Sequence, residues 1–540
     1  MAKPDTSIYL KDWLLIKPYL RQTPTDFYYL KLSNSVKNVI EKSDNFKFFL
    51  DYLDLDDIKL LACILTSYFE DIVSETNIWS SFTRMHYKLN NTFLPFYNFG
   101  EYYEDEINLE DVCFLIWHNL NTIQNDKFIL PYNKFILKIG EDIMEIFDDA
   151  WESAPSNHIL KSFYQIDEKE TDFYNARILI DAVLFRTYLF HTDSGLKLKH
   201  DETEILEKSK TNENVLVFLN ENRDKTIHNF HTNLLALKGN EWVAEIIGKK
   251  HPLSSVYLNM SQKVTGYFLY KGQGEKDVFI EHIASGKKFL LTKKSFDHAK
   301  NLNEIDTILF MGIVKWKNEW WFSGILVQKE FNADLILDEK NSTNARMSMN
   351  FLDHQTEDME EILSFQLKTF KEYNNGLQIA FLQSHKIEKF IHDYNEFYNK
   401  SLKVTDNERQ AAKDRARKEG YFGNDKVEDN FSDREDSGLI FFNPKSGCEI
   451  VFGINSAFPL PNNPFFDKNK SSDCLIQLFA EESISKELAF FCIETCKQDL
   501  PFFEGEIGKI YSNDLDFLLR FFKKDNYHTK PSITFTGHDN

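Results

Sequence analysis

The hydrophobic period of the sequence changes near residue 241, and this change constrains the fold more than any other feature. Before residue 195, apolar residues recur at helical spacing, as in "DLDDIKLLACILTSYFEDIV". From residue 241, short β-branched and aromatic runs alternate with Gly, Lys and Asn, as in "DVFIEHI", "GKKFLLT" and "DTILFMGIVKW". Because the two patterns bury different faces, we predict a multidomain α+β protein.

Helix start signals recur in the N-terminal part. Each is a capping residue with an acidic residue three positions later, which can reach back to the cap's own N–H. The pairs are Thr23 with Asp26, Asp54 with Asp57, and Asn108 with Asp111. Much of the acidic charge of this region therefore has a structural explanation, since carboxylates stabilise helix N-termini.

The 540 residues are too many for one ordinary core. Five short strands within about 70 residues predict a small antiparallel β-barrel of the SH3-like or OB-like kind. A charged stretch poor in apolar residues predicts a linker. The predicted segments are a helical domain (1–195), a connector (196–240), the small β-barrel (241–335), a helical segment (336–405), a charged linker (406–438) and a C-terminal mixed α/β unit (439–540).

The net charge of −21 disfavours binding to phosphate backbones and anionic lipid. Residues 260–330 differ, with 11 lysines against 8 acidic residues, so this segment could contact nucleic acid. No signal peptide and no apolar stretch of about 18 residues is visible. The six cysteines show no disulfide or zinc spacing. We therefore expect a cytoplasmic protein that does not enter a membrane.

The segment "GIVKWKNEWWFSGILV" (312–327) is the strongest candidate for a binding site. Lys317-Asn318 is expected to form a two-residue hairpin turn, because Asn tolerates positive φ. Along the second strand, Trp321 shares one face with Ser323, and Trp320 shares the other with Phe322. Both faces are apolar, so one face lines the barrel and the other is either buried or open to a partner. The predicted binding residues are Trp316, Lys317, Trp320 and Trp321, whose rings could stack on a ligand or cage a cation.

The remaining motifs do not assemble a catalytic or metal site. "HTDSG" (191–195) lacks the glycines of a nucleophile turn. His228 and His231 have helical i, i+3 spacing, but no nearby acid or cysteine completes a ligand set. Cys492 and Cys496 fit an apolar helix stripe. The acid clusters "YLDLDD" and "EYYEDEINLED" are explained by helix caps and a solvated loop. We predict no catalytic residue, metal or cofactor, and enzymatic activity stays open.

Four phrases together carry a family resemblance: "IYLKDWLLIKPYLRQTPTDFYYLKLSNSV", "LEDVCFLIWHNL", "GIVKWKNEWWFSGIL" and "NDLDFLLRFFKKDNYHTKPSI". The sequence resembles an uncharacterised family of bacterial proteins, a domain of unknown function that spans nearly the whole chain. The resemblance implies a large cytoplasmic bacterial protein. It implies no activity and no site residues.

Three hypotheses of function follow. The first is a non-enzymatic binding or scaffolding protein with a protein partner, which uses the aromatic hairpin on the small barrel. The second is a nucleic-acid-associated protein, in defence or RNA handling, which binds through residues 260–330 and loses affinity steeply with salt. The third is a metal-dependent hydrolase or nuclease whose carboxylates converge only in the folded chain.

Overall fold

The computed structural model describes residues 7–98, 100–124, 128–208, 215–342, 344–345, 349, 356–402, 404–418 and 436–529. The chain divides into two compact units. The first, here called the helical unit, comprises Met1–Gln262, Lys315–Asn318 and Ile510–Phe517. The second, here called the mixed unit, comprises Lys263–Val314, Glu319–Lys509 and Leu518–Asn540. The division into six segments that the sequence suggested is finer than these two units and stays a prediction.

Helices build the N-terminal region, as the sequence pattern predicted. A short π-helical turn at His191–Gly195 separates the ninth helix from the tenth. The helices up to residue 258 are α1 (Leu10–Leu14), α2 (Asp26–Lys42), α3 (Phe46–Leu50), α4 (Leu55–Ser74), α5 (Ile78–Asn90), α6 (Leu109–Ile123), α7 (Lys134–Trp151), α8 (His158–Phe163), α9 (Phe173–Phe185), α10 (Leu196–Lys208), α11 (Val215–Asn229), α12 (Gly239–Ile246) and α13 (Ser254–Leu258).

The predicted caps have different outcomes. Asp54 caps α4 by accepting hydrogen bonds from the N–H groups of Asp56 and Asp57, and Asp57 completes the capping box, so this prediction is confirmed. The prediction for Thr23 is wrong, because α2 begins at Asp26 and its N-cap is Thr25. Asn108 does occupy the N-cap position of α6, but its side chain makes no capping hydrogen bond.

Asp26 reaches back to the backbone N–H of Thr23 as expected, and its other carboxylate oxygen binds side chains across the core. Its carboxylate accepts hydrogen bonds from the indole N–H of Trp13 and the hydroxyl of Tyr19, each at 2.8 Å. All three side chains are buried. A buried carboxylate needs such donors, since leaving it unpaired costs far more than one helix cap contributes.

A buried ion pair lies next to this group. The ammonium of Lys17 pairs with the carboxylate of Glu70 and donates to the hydroxyl of Ser67 at 2.9 Å. It also lies 3.8 Å from the ring centroid of Trp13. The amide of Asn157 donates to the second oxygen of Glu70 at 2.8 Å. The lysine and glutamate side chains are 2% and 0% exposed, so this network ties α1, α4 and the start of α8 together within the helical unit.

Five strands of the mixed unit form one sheet. They are β1 (Val264–Gln273), β2 (Asp277–His282), β3 (Lys288–Thr292), β4 (Ile308–Trp316) and β5 (Glu319–Lys329). Their hydrogen-bonded order is β1-β2-β3-β5-β4, and β4 also pairs with β1. The prediction of five strands is confirmed. The expected antiparallel pairing holds for β1–β2, β1–β4 and β2–β3, whereas β3 meets β5 through a parallel bridge between Leu291 and Trp320.

The rest of the mixed unit combines helices with a three-stranded antiparallel sheet in the order β6-β7-β8. β7 and β8 form an antiparallel hairpin. β6 lies in the segment that we expected to be helical, where the short apolar run "IAFL" follows an Asn-Gly turn. The elements are α14 (Ala333–Asn341), α15 (Thr356–Tyr373), β6 (Ile379–Gln383), α16 (Ser384–Ser401), α17 (Asp406–Lys418), β7 (Ser437–Asn443), β8 (Gly447–Phe452), α18 (Ser471–Ala480), α19 (Lys486–Cys496), α20 (Glu506–Asn513) and α21 (Leu515–Phe522).

Replacing Lys17 should destabilise the helical unit strongly. In Lys17→Met, the carboxylate of Glu70 stays buried without its counter-charge, so we expect the free energy of unfolding to fall by about 3–5 kcal/mol. Chemical denaturation measures this loss. Lys11→Met, on the exposed face of α1, is the matched control and should change little. The double variant Lys17→Met/Glu70→Leu should recover part of the loss, because no unpaired charge is then buried. Equal stability of Lys17→Met and Lys11→Met would contradict the assigned role of the ion pair.

Candidate binding surface

The tryptophan hairpin is mostly buried. Trp316 is 1% exposed and Trp321 is 4% exposed, whereas Trp320 is half-buried. The predicted turn is confirmed, since Lys317 and Asn318 have φ of 46° and 65°. In the helical unit, the ring of Trp316 lies 5.1 Å from that of Tyr257, edge to face.

The remaining predicted site residues also have structural contacts. The ammonium of Lys317 donates to the backbone carbonyl of Glu170. Trp320 packs on the core of the five-stranded sheet, with its ring 4.9 Å from that of Phe289. The structure therefore gives these aromatic residues core contacts rather than an open platform. A binding role for Trp316, Lys317, Trp320 and Trp321 stays a prediction.

A different part of the same sheet presents apolar side chains to solvent. Phe279 on β2 is 39% exposed, Leu290 on β3 is 58% exposed, and Ile305 before β4 is 59% exposed. Phe279 and Leu290 are directly paired across the two strands. We call these three residues the β2–β3 face. It could have been found from the sequence, because "VFI" and "FLL" each place three apolar residues in a row and a strand sends the middle one to the opposite face.

A glycine of β1 lies beside the aromatic ring of this face. Gly272 is paired with Phe279 at a register shift in the β1–β2 ladder, and its φ is +125°. A Cβ atom built on Gly272 would lie 3.7 Å from the Phe279 ring and 3.9 Å from Ile305. The ring therefore lies against bare backbone, an arrangement that shields a glycine in a sheet and holds the ring in place.

Charges of both signs surround the β2–β3 face. Lys271 pairs with Asp306 at 2.7 Å. Glu281 and Lys288 lie opposite each other on β2 and β3. Asp277 lies two residues from Phe279 on the same strand, so the exposed ring has acidic residues on both sides along β2. The face therefore has no excess of positive charge, although the 260–330 segment as a whole is basic.

The acid clusters have structural roles in the helical unit. Asp111, from "EYYEDEINLED", is buried and accepts hydrogen bonds from the hydroxyls of Tyr68 at 2.6 Å and Tyr102 at 2.9 Å. Burial raises the pKa of Asp111 to about 7. Among the described residues, no group of three His, Cys, Asp or Glu side chains is arranged to hold a metal ion.

The histidine and serine motifs are also built into the interior. Ser194 of "HTDSG" donates to the backbone carbonyl of Phe190 at 2.9 Å, and the burial of His191 lowers its pKa. His228 is buried and stacks on Phe173, with ring centroids 5.7 Å apart. His231 lies beyond the end of α11, so the two histidines do not share a helical face as their spacing suggested.

Comparisons with known proteins give one match. Residues 7–271 match the model of a family described as protein of unknown function (DUF3843). The match confirms the resemblance to an uncharacterised family for this region, which is 265 of the 540 residues, whereas we expected the resemblance to span nearly the whole chain. Neither a search of curated proteins nor a search of solved structures gives a match. Within the described part of the chain, no helix has both the length and the apolar character to cross a membrane.

Asp111 should make stability depend on pH. Its pKa is about 7 in the folded protein, against about 3.9 for an unfolded aspartate. Between these values the folded state holds a proton that the unfolded state has released, so raising the pH through this window lowers the free energy of unfolding. Asp111→Asn should remove this dependence. Urea unfolding at pH 5 and pH 8 measures the difference, with Asp148→Asn on the exposed side of α7 as the control. Parallel pH profiles for the wild type and Asp111→Asn would contradict the assignment.

Proposed function

We propose that the chain is a non-enzymatic binding protein that recognises a protein partner through the β2–β3 face. The supporting observation is the exposure of three neighbouring apolar side chains, Phe279, Leu290 and Ile305, within one well-packed sheet. Grouped exposed apolar residues with a polar rim are typical of protein interaction sites, whereas scattered ones are ordinary surface.

The sheet also limits how a partner could bind. Each of the five strands has a hydrogen-bonded neighbour on both sides in the order β1-β2-β3-β5-β4-β1. β2, which carries Phe279, is paired along its length with β1 and β3, so a partner that binds there contacts side chains and does not add a strand. We further propose that this sheet is a barrel of the OB-like class, since OB-folds are five-stranded and present the face of their second and third strands to ligands.

The charge distribution favours a protein over a nucleic acid. A nucleic-acid site needs a clear excess of Lys and Arg near the phosphates. The rim of the β2–β3 face instead pairs Lys271 with Asp306 and places Glu281 opposite Lys288. A rim of mixed sign suits a protein surface with its own mixture of charges. Nucleic-acid binding remains the alternative outcome of the experiment below.

Polar substitutions on the β2–β3 face should abolish partner binding without unfolding the protein. Burial of a Phe or Leu side chain contributes about 1.5–3 kcal/mol, so Phe279→Ser/Leu290→Ser should weaken binding by about 100-fold or more. Tagged wild-type and variant chains would be purified from the native host, and bound proteins quantified by mass spectrometry. The identified partner would then be titrated with each purified chain.

Two controls make the result specific. Leu337→Ser introduces the same kind of change at an exposed leucine on α14 and should retain the partner. Trp320→Ala tests the hairpin, because Trp320 is its most exposed tryptophan. Loss of direct binding in Phe279→Ser/Leu290→Ser alone supports the proposal. An unchanged affinity in that variant overturns it, loss in Trp320→Ala alone returns the site to the hairpin, and loss of co-purified nucleic acid supports the nucleic-acid alternative.

A further inference from the structure

Two cysteines of the mixed unit lie in direct contact. Cys492 and Cys496 are one turn apart on α19, and they are 0% and 1% exposed. Their thiols are hydrogen-bonded to each other. An apolar helix stripe explains the burial of these residues but not their contact. The contact places two sulfur atoms, both potential metal ligands, at one point of the interior.

One sulfur of the pair is activated as a ligand. Because Cys492 donates its hydrogen bond to Cys496, the pKa of the Cys496 thiol is lowered and the pKa of the Cys492 thiol is raised well above its usual value. The sulfur of Cys492 also lies 3.2 Å from the backbone carbonyl of Ala457. The hydroxyl of Thr495 lies 3.3 Å from the sulfur of Cys496. Cys496 therefore has thiolate character, and the thiolate is the form of cysteine that binds metal ions.

Helix geometry favours an ion between the two sulfurs over a direct bond between them. Residues four positions apart on a helix have Cβ atoms about 5–6 Å apart. A disulfide draws its two Cβ atoms to about 3.5–4.5 Å, so forming one here would distort α19. A metal–thiolate bond of about 2.3 Å lets a single ion join sulfurs that are about 4.6 Å apart. A metal ion can therefore replace the shared proton without the same distortion.

The ligand set selects a soft ion that accepts two sulfurs. Structural zinc takes four protein ligands. In the part of the chain that the structure describes, no third His, Cys, Asp or Glu joins the two thiols. Thiolates favour Cu(I), which forms stable complexes with only two of them. A monovalent ion that replaces one proton also leaves the charge of the pair unchanged, and an added buried charge would be costly.

The position of Cys496 gives an ion a route to the pair. Cys496 is the last residue of α19, and the residues of the short 3₁₀ turn that follows, Lys497–Asp499, are all exposed. The last turn of a helix opens at low cost in free energy, because its final carbonyls lack partners within the helix. A brief opening of this turn exposes the sulfur of Cys496, from which the ion reaches Cys492 one turn further in.

We propose that Cys492 and Cys496 form a two-coordinate binding site for Cu(I). The ion bonds to both sulfurs in place of the proton that they share, and that proton passes to solvent. The site lies outside residues 7–271, which match the family model, and it does not depend on the proposed protein interaction of the β2–β3 face.

Titration of the reduced full chain with Cu(I), under nitrogen and against a colorimetric Cu(I) chelator, tests the proposal. We expect one tightly bound Cu(I) per chain, and excess Zn(II) should not displace it. Cys492→Ser and Cys496→Ser should each weaken binding by more than about 100-fold, because losing a ligand costs more than losing an outer-sphere partner. Cys448→Ser removes the exposed cysteine on β8 and is the matched control, which should bind like the wild type.

X-ray absorption at the copper edge gives a second readout and should show two sulfur neighbours for the bound ion. Circular dichroism checks the folding of each variant. The absence of a stoichiometric Cu(I) site, displacement by Zn(II), or equal affinities in Cys496→Ser and Cys448→Ser would overturn the proposal. If a variant of the pair does not fold, the absorption spectrum of the wild type decides, since a copper ion with fewer than two sulfur neighbours also overturns it.

Discussion

The buried ion pair of Lys17 and Glu70 is the constraint on which the helical unit depends. Each charge would be costly to bury alone, so the segment after α1 and helix α4 must be positioned together, with the amide of Asn157 completing the site. The next residue on α4, Asp71, accepts a hydrogen bond from the hydroxyl of Tyr188 at 2.7 Å and another from Thr76. One helix therefore carries two buried carboxylates in succession, each held by partners from elsewhere in the chain.

Local signals in the sequence predicted the features that depend on neighbouring residues. The capping box of Asp54 and Asp57 and the turn at Lys317-Asn318 are both present, because their hydrogen bonds or dihedral angles involve only a few adjacent positions. The change of hydrophobic period near residue 241 came too early, because α12 and α13 lie at or beyond it and the first strand begins at Val264. The parallel bridge of β3 and β5 and the strand β6 depend on pairing between distant segments, which a local pattern does not contain.

The functional residues were harder to predict, because the sequence does not show which apolar face is covered. Both faces of the tryptophan hairpin are apolar, and the structure buries Trp316 and Trp321, whereas Phe279 in the equally apolar run "VFI" is exposed. Asp26 makes the expected bond to the N–H of Thr23, but the sequence did not show that Asp26 and Asp111 also bind buried donors, such as Trp13 and Tyr68, that lie 13 and 43 positions away in the chain. Only the folded chain brings these partners together.

We propose that the β2–β3 face, and not the tryptophan hairpin, contacts the partner. This is tested most directly by photo-cross-linking in cells of the native host, with a photoreactive phenylalanine analogue placed at position 279 and, in a separate chain, at position 320. We expect a cross-linked protein at position 279 and none at position 320. Cross-linking at position 320 alone, or at neither position, would contradict it.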